Sequence, residues 1–448
     1  MQLRLFEIAD FDAVYHRSFL NSELGKLYST IPFQEIAEAY RKGLKRHPQG
    51  QKAVFTIEGG LGLMFLKHYT NLSDSKLIKA LNTNWHYQMF CGLARKDDYG
   101  IKDMDIVGRW RRFFGARLDI QALQKILAQT WKEDLPHKQV SLQDATVYES
   151  YIKYPTDVGL LWDCVEWTRE LLVKLCKEHK IARPRSKYKK QKIKQIDYSK
   201  RRKKSYKLTR RRQAALLRLL PKLLGQLQAI LNRGASVIEG IKPSVFKRIK
   251  TIRTILIQQR YHFEQPTKSV PHRIVSLYKP YIRPIVRGKE NKPVEFGAKV
   301  HQVQVGGCNF MEHLDFEAFH EGNRLKRAVW MQCGLFGSVH QLAADGIYAT
   351  NANRSWCREH KIATCFKPKG KQGPHKEQKE TLRNTLSIIR GTVLEGSFGN
   401  EKNHYTLRKV KARTQETEIA WIFFGVHTAN AVKIMNARNQ KKNNKMAA

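Results

Sequence analysis

Acidic residues are scarce in this sequence: 39 Asp and Glu face 82 Lys and Arg over 448 residues, a net charge of +43. Such an excess opposes a compact state and calls for a polyanionic partner. Nucleic acid fits best, because each Lys or Arg that neutralises a phosphate releases counterions. Ribosomal proteins and cationic membrane peptides are also basic, but this chain is too long and aromatic-rich for the first and unlike an amphipathic peptide. Cysteine is sparse too. Cys91, Cys164, Cys176, Cys308, Cys333, Cys357 and Cys365 are odd in number, scattered and without a C-x-x-C pair. This argues against a zinc ribbon and a disulfide framework. No apolar stretch approaches the ~20 residues needed to span a bilayer, and the opening MQLRLFEIADFD has acids where a signal peptide has its apolar run. The expectation is a cytoplasmic, nucleoid-associated protein without membrane contact. At 42% apolar, most of the chain should fold, into two to four domains by its length.

Composition divides the chain. Residues 1–135 read as short helices joined by turns, with Asn71 or Ser73 able to cap DSKLIKALNTN. Such a segment suits a helix-turn-helix-type DNA-binding domain or a dimerisation bundle. In 136–165, KQVSLQDATVY is a β-type run, and PTDVGLLWDCVEWTRELLVKLCKE is a helix with Asp157 near its start. Residues 166–270 are basic and helical. Within them, 182–212 hold 16 Lys and Arg against one Asp, with Tyr188, Tyr198 and Tyr206 interleaved. We assign Lys200, Arg201, Arg202, Lys203, Lys204, Arg210, Arg211 and Arg212 to DNA-backbone contact rather than to mere solvation. Residues 271–437 turn β-rich and then helical. RIVSLYKPYIRPIVRGK, PVEFGAKVHQVQV and CNFMEHLDF read as strands with turns at Gly288 and Gly306-Gly307; RLKRAVWMQCGLFG and NANRSWCREHK read as helices around the strand HQLAAD. The tail, 438–448, is polar, basic and expected to be disordered.

Three acids stand out by context. Asp144 ends a strand in SLQDATV, Asp345 ends one in QLAADGIYA ahead of Gly346, and Glu395 sits in SIIRGTVLEGSFGNEKNHY at the approach to a helix. Carboxylates on adjacent core strands and a packed helix can converge. Two Mg²⁺ or Mn²⁺ ions about 3.5–4 Å apart can then activate an attacking oxygen and stabilise a leaving one. On spacing alone, any three of 39 acids could be chosen, and an Asp after a strand is more often a turn or cap residue.

The motifs around them decide the matter. Asp144-Ala145-Thr146 followed by Pro155-Thr156-Asp157 and Leu160-Leu161 resembles the first-acid strand and "PTD…LL" helix of the DDE transposases of bacterial insertion sequences, in the insertion-sequence four/five supergroup. Ala344-Asp345-Gly346-Ile347-Tyr348, with Asn353-Arg354 and Cys357, resembles the second-acid segment. The departures are Ile347, and Lys361 where Gly is common. Arg390, Glu395, Phe398-Gly399 and Lys402 resemble the family's "R…E…FG…K" helix, and Lys411–Asn430 its closing helix. The resemblance runs from the helical N-terminal region to about residue 435.

It implies an α/β fold: a ribonuclease-H-like catalytic domain with a mixed central sheet, a helical N-terminal domain and an inserted basic helical segment. It further implies Asp144, Asp345 and Glu395 as metal-binding catalytic residues for Mg²⁺ or Mn²⁺, as two ions. Lys402, two helical turns after Glu395, would hold a phosphate, as would Arg390 from the turn before the helix. The implied partners are double-stranded DNA, both element ends and target, and a second copy of the chain on that DNA. The implied activity is binding of element ends, phosphodiester cleavage and strand transfer into target DNA. The alternative is a catalytically inactive DNA-binding regulator derived from a transposase, against which the presence of all three acids and Lys402 argues. A tyrosine recombinase lacks support, because no His-x-x-Arg segment lies near Tyr405. No ribonucleoprotein aromatic motif or Gly-x-x-Gly loop favours RNA.

Overall fold

A computed structural model describes residues 8–42, 44, 54–93, 100–233, 235–287, 293–370 and 374–447. The chain forms two compact units. One comprises residues 1–151, 298–315 and 319–448; the other comprises 152–297 and 316–318.

Among its described residues the first unit opens with eight helices, α1 (Ile8–Asn21), α2 (Glu23–Tyr28), α3 (Phe33–Arg41), α4 (Ile57–Thr70), α5 (Asp74–Thr83), α6 (Trp85–Phe90), α7 (Ile106–Gly115) and α8 (Ile120–Trp131). Of the two cap candidates, Ser73 starts α5 by accepting from the Lys76 amide at 3.3 Å, while Asn71 ends α4 in the left-handed conformation. Strand β1 (Val140–Glu149) follows. Asp144 is its fifth residue, so it lies mid-strand and not at the strand end that the sequence suggests. The apolar Ala145, Val147 and Tyr148 beyond it are buried and keep the strand going.

The second unit is helical: α9 (Asp157–Glu178), α10 (Tyr188–Lys200), α11 (Tyr206–Leu231), the single turn α12 (Ala235–Ile238) and α13 (Pro243–Glu264), with a short strand β2 (Pro284–Val286). Thr156 caps α9 through the Gly159 amide. Helix α11 corrects the reading that no apolar stretch is long enough to cross a bilayer: by length and composition this one is. Its Leu216, Leu220 and Leu223 nevertheless pack with Leu161 and Val165 of α9 and Ile252 of α13 in the unit's core. The expected strand at RIVSLYKPY does not form. Ile274 and Leu277 enter that same core, and Pro280 lacks the amide a ladder needs. The turn expected at Gly288 lies outside the described residues.

The sheet is completed by β3 (Val294–Val305), β4 (Cys308–Asp315), β5 (Gln341–Ala344) and β6 (Ala363–Thr364), in the order β2-β3-β1-β5-β6 with β4 paired to β3. Gly306 and Gly307, at φ +55° and +84°, make the antiparallel β3–β4 turn. β1 and β5 are parallel, as are β5 and β6, so the sheet is mixed and the architecture α/β. Helices α14 (Leu325–Phe336) and α15 (Asn351–Glu359) flank β5 in sequence. Lys361, where the resembled family commonly has Gly, takes φ +54° just after α15. A side chain in that conformation costs roughly 1 kcal/mol, so Lys361→Gly is expected to raise the thermal midpoint; an unchanged or lower midpoint would contradict this.

Helix α16 (Lys376–Ile389) passes through a π-helical turn at Arg390–Leu394 into α17 (Glu395–His404) without a break. Arg390 is thus helical and not in a preceding turn. The last helix, α18 (Gln415–Ala447), includes the tail expected to be disordered, because Arg438 and Lys441 hold Asp134 at 2.8 and 3.6 Å. Phe424 of α18 meets Phe65 of α4 and Phe114 of α7 edge-on, so the N-terminal helices share a core with the C-terminal one.

Candidate active site

The parallel register pairs Val140 with Gln341 and runs to Gln143 with Ala344. Asp144 is the next residue of β1 and Asp345 the first residue past β5, near enough that Asp345 helps raise the Asp144 carboxyl. On one face of the sheet, Leu342 and Ala344 of β5, with Tyr348 just beyond the strand, pack with Leu325 and Trp356. On the other, Leu142 and Ala343 receive Leu386, Leu394 and Phe398 from the α16–α17 rod. Phe398 therefore packs inward, as its sequence context suggests. Burying residues of this size stabilises the fold by about 2–3 kcal/mol each. That docking brings Glu395 and Arg390 to β1.

Arg390 Nη1 lies 3.0 Å from Asp144 Oδ2 and 3.3 Å from Glu395 Oε1. A guanidinium thus bridges two of the acids. The remaining Asp144 oxygen accepts from the Ala145 amide at 2.7 Å, and Asp345 Oδ1 accepts from the Gly346 amide at 2.6 Å. Burial pushes the Asp144 carboxyl up to about 6; Glu321 and Asp345 add to the rise, while the Ala145 amide and Arg390 oppose it. Lys402 Nζ donates to Thr146 Oγ1 at 2.7 Å, two residues along β1 from Asp144.

Four residues to which the sequence assigns no role in the site belong to this neighbourhood. Glu321 lies close enough to raise Asp144 and is ion-paired with Lys299 at 2.7 Å. His301, buried, sits 3.0 Å from Glu312, which also pairs with Arg324. Tyr348 is buried under the acids: burial raises its phenol well above the usual value, with Glu321, Asp144, Asp345 and Glu312 all adding. Glu401 is 1% exposed; it accepts from Tyr148 and, at 2.6 Å, from Asn309 Nδ2.

The chemistry of the donor set fits a hard divalent cation: carboxylate oxygens, one on β1, one just past the end of the adjacent β5 and one on a docked helix. A positive group is already held between Asp144 and Glu395. Among the described residues, no three acidic, His or Cys side chains converge on one point as placed. Arg390 fills the space between two acids of the set.

The basic candidates lie in the helical unit and divide in two. Lys200 ends α10, and Arg201, Arg202, Lys203 and Lys204 form the exposed link to α11; Arg211 is exposed as well. Lys204 also lies 5.5 Å from the Tyr198 ring. Arg210 and Arg212 are used by the fold. Arg210 donates to the Phe263 carbonyl at 2.6 Å and stacks on that ring. Arg212, 5% exposed, binds Gln195 Oε1 at 2.8 Å and the Gln191 carbonyl at 2.7 Å. The sequence reading of these two as DNA contacts meets a competing structural task.

Comparison with known proteins matches two family models, a transposase DDE domain over residues 342–429 and a transposase domain (DUF772) over residues 13–112. The first match holds Asp345, Arg390, Glu395 and Lys402; Asp144 lies outside both. The chain is also similar to the uncharacterized protein ORF8 in the nfe locus of Rhizobium meliloti, at 28% identity over 162 residues, 35% of this chain and 74% of that protein. No solved structure matches.

Proposed function

The chain belongs to the DDE transposases of insertion sequences, and on that premise we propose that it binds the ends of its own element, cleaves them and joins them to target DNA. The supporting observation is the parallel β1–β5 register, which sets Asp144 beside Asp345 while Arg390 ties Asp144 to Glu395. The family works on DNA and generally uses divalent metals. Asp144, Asp345 and Glu395 would hold Mg²⁺ or Mn²⁺, as two ions. Bound there, the cations would activate first a water and then the freed 3′-hydroxyl, and steady the leaving oxygen.

The chain's own residues do the rest. Lys402, held by Thr146 beside the carboxylates, supplies positive charge for the scissile phosphate. Arg390 keeps Asp144 and Glu395 together before DNA arrives, then serves the substrate's phosphate. We read the sheet as ribonuclease-H-like, supported by the mixed order around β1 and by the acids' places on β1, after β5 and on α17. The eight N-terminal helices are assigned to DNA binding and dimerisation, and the exposed cations of 182–211 to DNA-backbone contact. Pairing two element ends requires at least a dimer on DNA. Work on DNA puts the protein in the cytoplasm at the nucleoid.

The test uses the full chain, DNA carrying the gene's own flanks, and Mg²⁺. Nicked 3′ ends and joined products are expected. Bound but intact DNA with Mg²⁺ and with Mn²⁺ overturns the reading in favour of the non-catalytic regulator, and a covalent protein–DNA adduct overturns it in favour of a tyrosine recombinase.

A further inference from the structure

A second cationic feature lies in the first unit, away from the basic run. A cavity of about 570 Å³ opens between the end of α4, the start of α5, α7 and the loop that follows α17. Lys67, Arg111, Lys402, Arg408, Lys409 and Lys411 line it, and Asp74 is the one acid among the described residues of its lining. Asp74 is shared: Arg111 Nη2 lies 3.0 Å from both its oxygens, and Lys67 Nζ 3.4 Å from one. Both cations are buried and lie against Trp421, Arg111 at 4.4 Å and Lys67 at 5.2 Å from the ring centroid. Burial lowers the Lys67 ammonium; Arg111 and Lys411 push the same way, and Asp74 opposes them. Burying two cations against one carboxylate is costly without a further anion.

The rim is fixed with some strain. Thr406 is β-branched yet takes φ +62°. His68 Nδ1 lies 2.6 Å from its hydroxyl, and Trp421 Nε1 donates to its carbonyl at 3.1 Å. These bonds set the loop that carries Arg408 and Lys411, both exposed, over the cavity. A second cavity of about 360 Å³ shares Asp74, Arg111 and Lys411 with the first and adds Arg112 and Arg413. Together they make a cationic groove that begins at Lys402, the residue held beside the carboxylates through Thr146.

We propose that this groove is a phosphate track: it holds the backbone of the DNA strand leading away from the carboxylates, with Arg408 and Lys411 each taking one phosphate. The ligand is nucleic-acid phosphate, read without regard to base sequence. The proposal rests on the DNA-processing reading above.

The test compares the full chain with the double variant Arg408→Gln/Lys411→Gln, binding a short labelled duplex of arbitrary sequence over a salt series. A control pair, Lys125→Gln/Lys132→Gln, alters exposed lysines of and just after α8. Two lost phosphate contacts should reduce the slope of log K against log salt by about two and weaken binding roughly tenfold at physiological salt. The control should leave both unchanged. Normal binding with an unaltered slope in the groove variant overturns the track and leaves the transposase reading standing; so does an equal fall in the control. A chain that binds no DNA at all overturns both.

Discussion

Asp144→Asn is expected to abolish strand transfer on element-end DNA, by about 10³-fold or more, with DNA binding unchanged within a factor of about two. The substitution keeps the shape of the side chain and its bond from the Ala145 amide, so β1 should fold as before. What it removes is charge. An amide ligates Mg²⁺ far more weakly than a carboxylate, and the loss of about 4 kcal/mol implied by 10³-fold is the scale of a missing ligand at a charged transition state. The fold should tolerate the change, because Asp144, pushed up to about 6 chiefly by burial, gives up its proton reluctantly. The same raised value predicts that Mn²⁺ binding by the wild-type chain, followed by titration calorimetry, strengthens as pH rises through about 6. Strand transfer by the Asn variant at the wild-type rate would remove Asp144 from the catalytic set.

The largest stability effect is expected at Glu401. Its carboxyl joins Tyr148 of β1 to Asn309 of β4, and Gln302 of β3 donates to the same Tyr148 hydroxyl at 2.6 Å. One buried acid therefore links α17 to three strands. Burial pushes it up to about 7, with Tyr148, Asn309 and Lys402 opposing. A carboxyl raised in the folded state keeps its proton where the unfolded chain has released it. Its contribution is therefore full below the usual carboxylate value and is lost as pH rises through about 7. The difference corresponds to about 3 kcal/mol between roughly pH 5 and pH 8. Glu401→Gln copies the protonated form, with one acceptor and one donor group, and should flatten that dependence when urea unfolding is followed across the range. Parallel pH profiles for variant and wild type would show that Glu401 does not titrate with folding.

The features that the sequence revealed were local ones. Glu395 is recognisable because Arg390, Phe398, Gly399 and Lys402 surround it within one helical rod. Helix α9 is recognisable from Asp157 near its start and from its apolar spacing. The adjacency of Asp144 and Asp345 is not legible in this way: it arises from parallel pairing between strands whose acids are 201 positions apart in the numbering, and such pairing leaves no local trace. The structure turns a loose motif match at Asp345 into a defined neighbour relation. Glu401 does not stand out in the sequence, because it precedes Lys402 and looks like half of a solvated pair. Leu394, Phe398 and Glu401 follow at i, i+4 and i+7, the spacing of a buried stripe, and that signal was available. Arg212 shows the converse. It sits in a basic run, yet Leu216, Leu219 and Leu223 extend a stripe from it at helical spacing, so its side chain is drawn into the bundle.

The order of the units along the chain has a consequence for synthesis. The second unit is nearly continuous, from 152 to 297, whereas the sheet of the first needs β1 from before it and β5 from well after it. Chains fold from the N-terminus as they leave the ribosome. The basic helices are therefore complete while Asp144 still waits for its neighbour. A chain stopped between Gly297 and Asp345, by premature termination or by a protease, has every cation of 182–212 and lacks Asp345, Glu395 and Lys402. On the function proposed above, such a fragment would keep the charge assigned to DNA contact without the acids assigned to catalysis, and would compete with the full-length protein from the same reading frame.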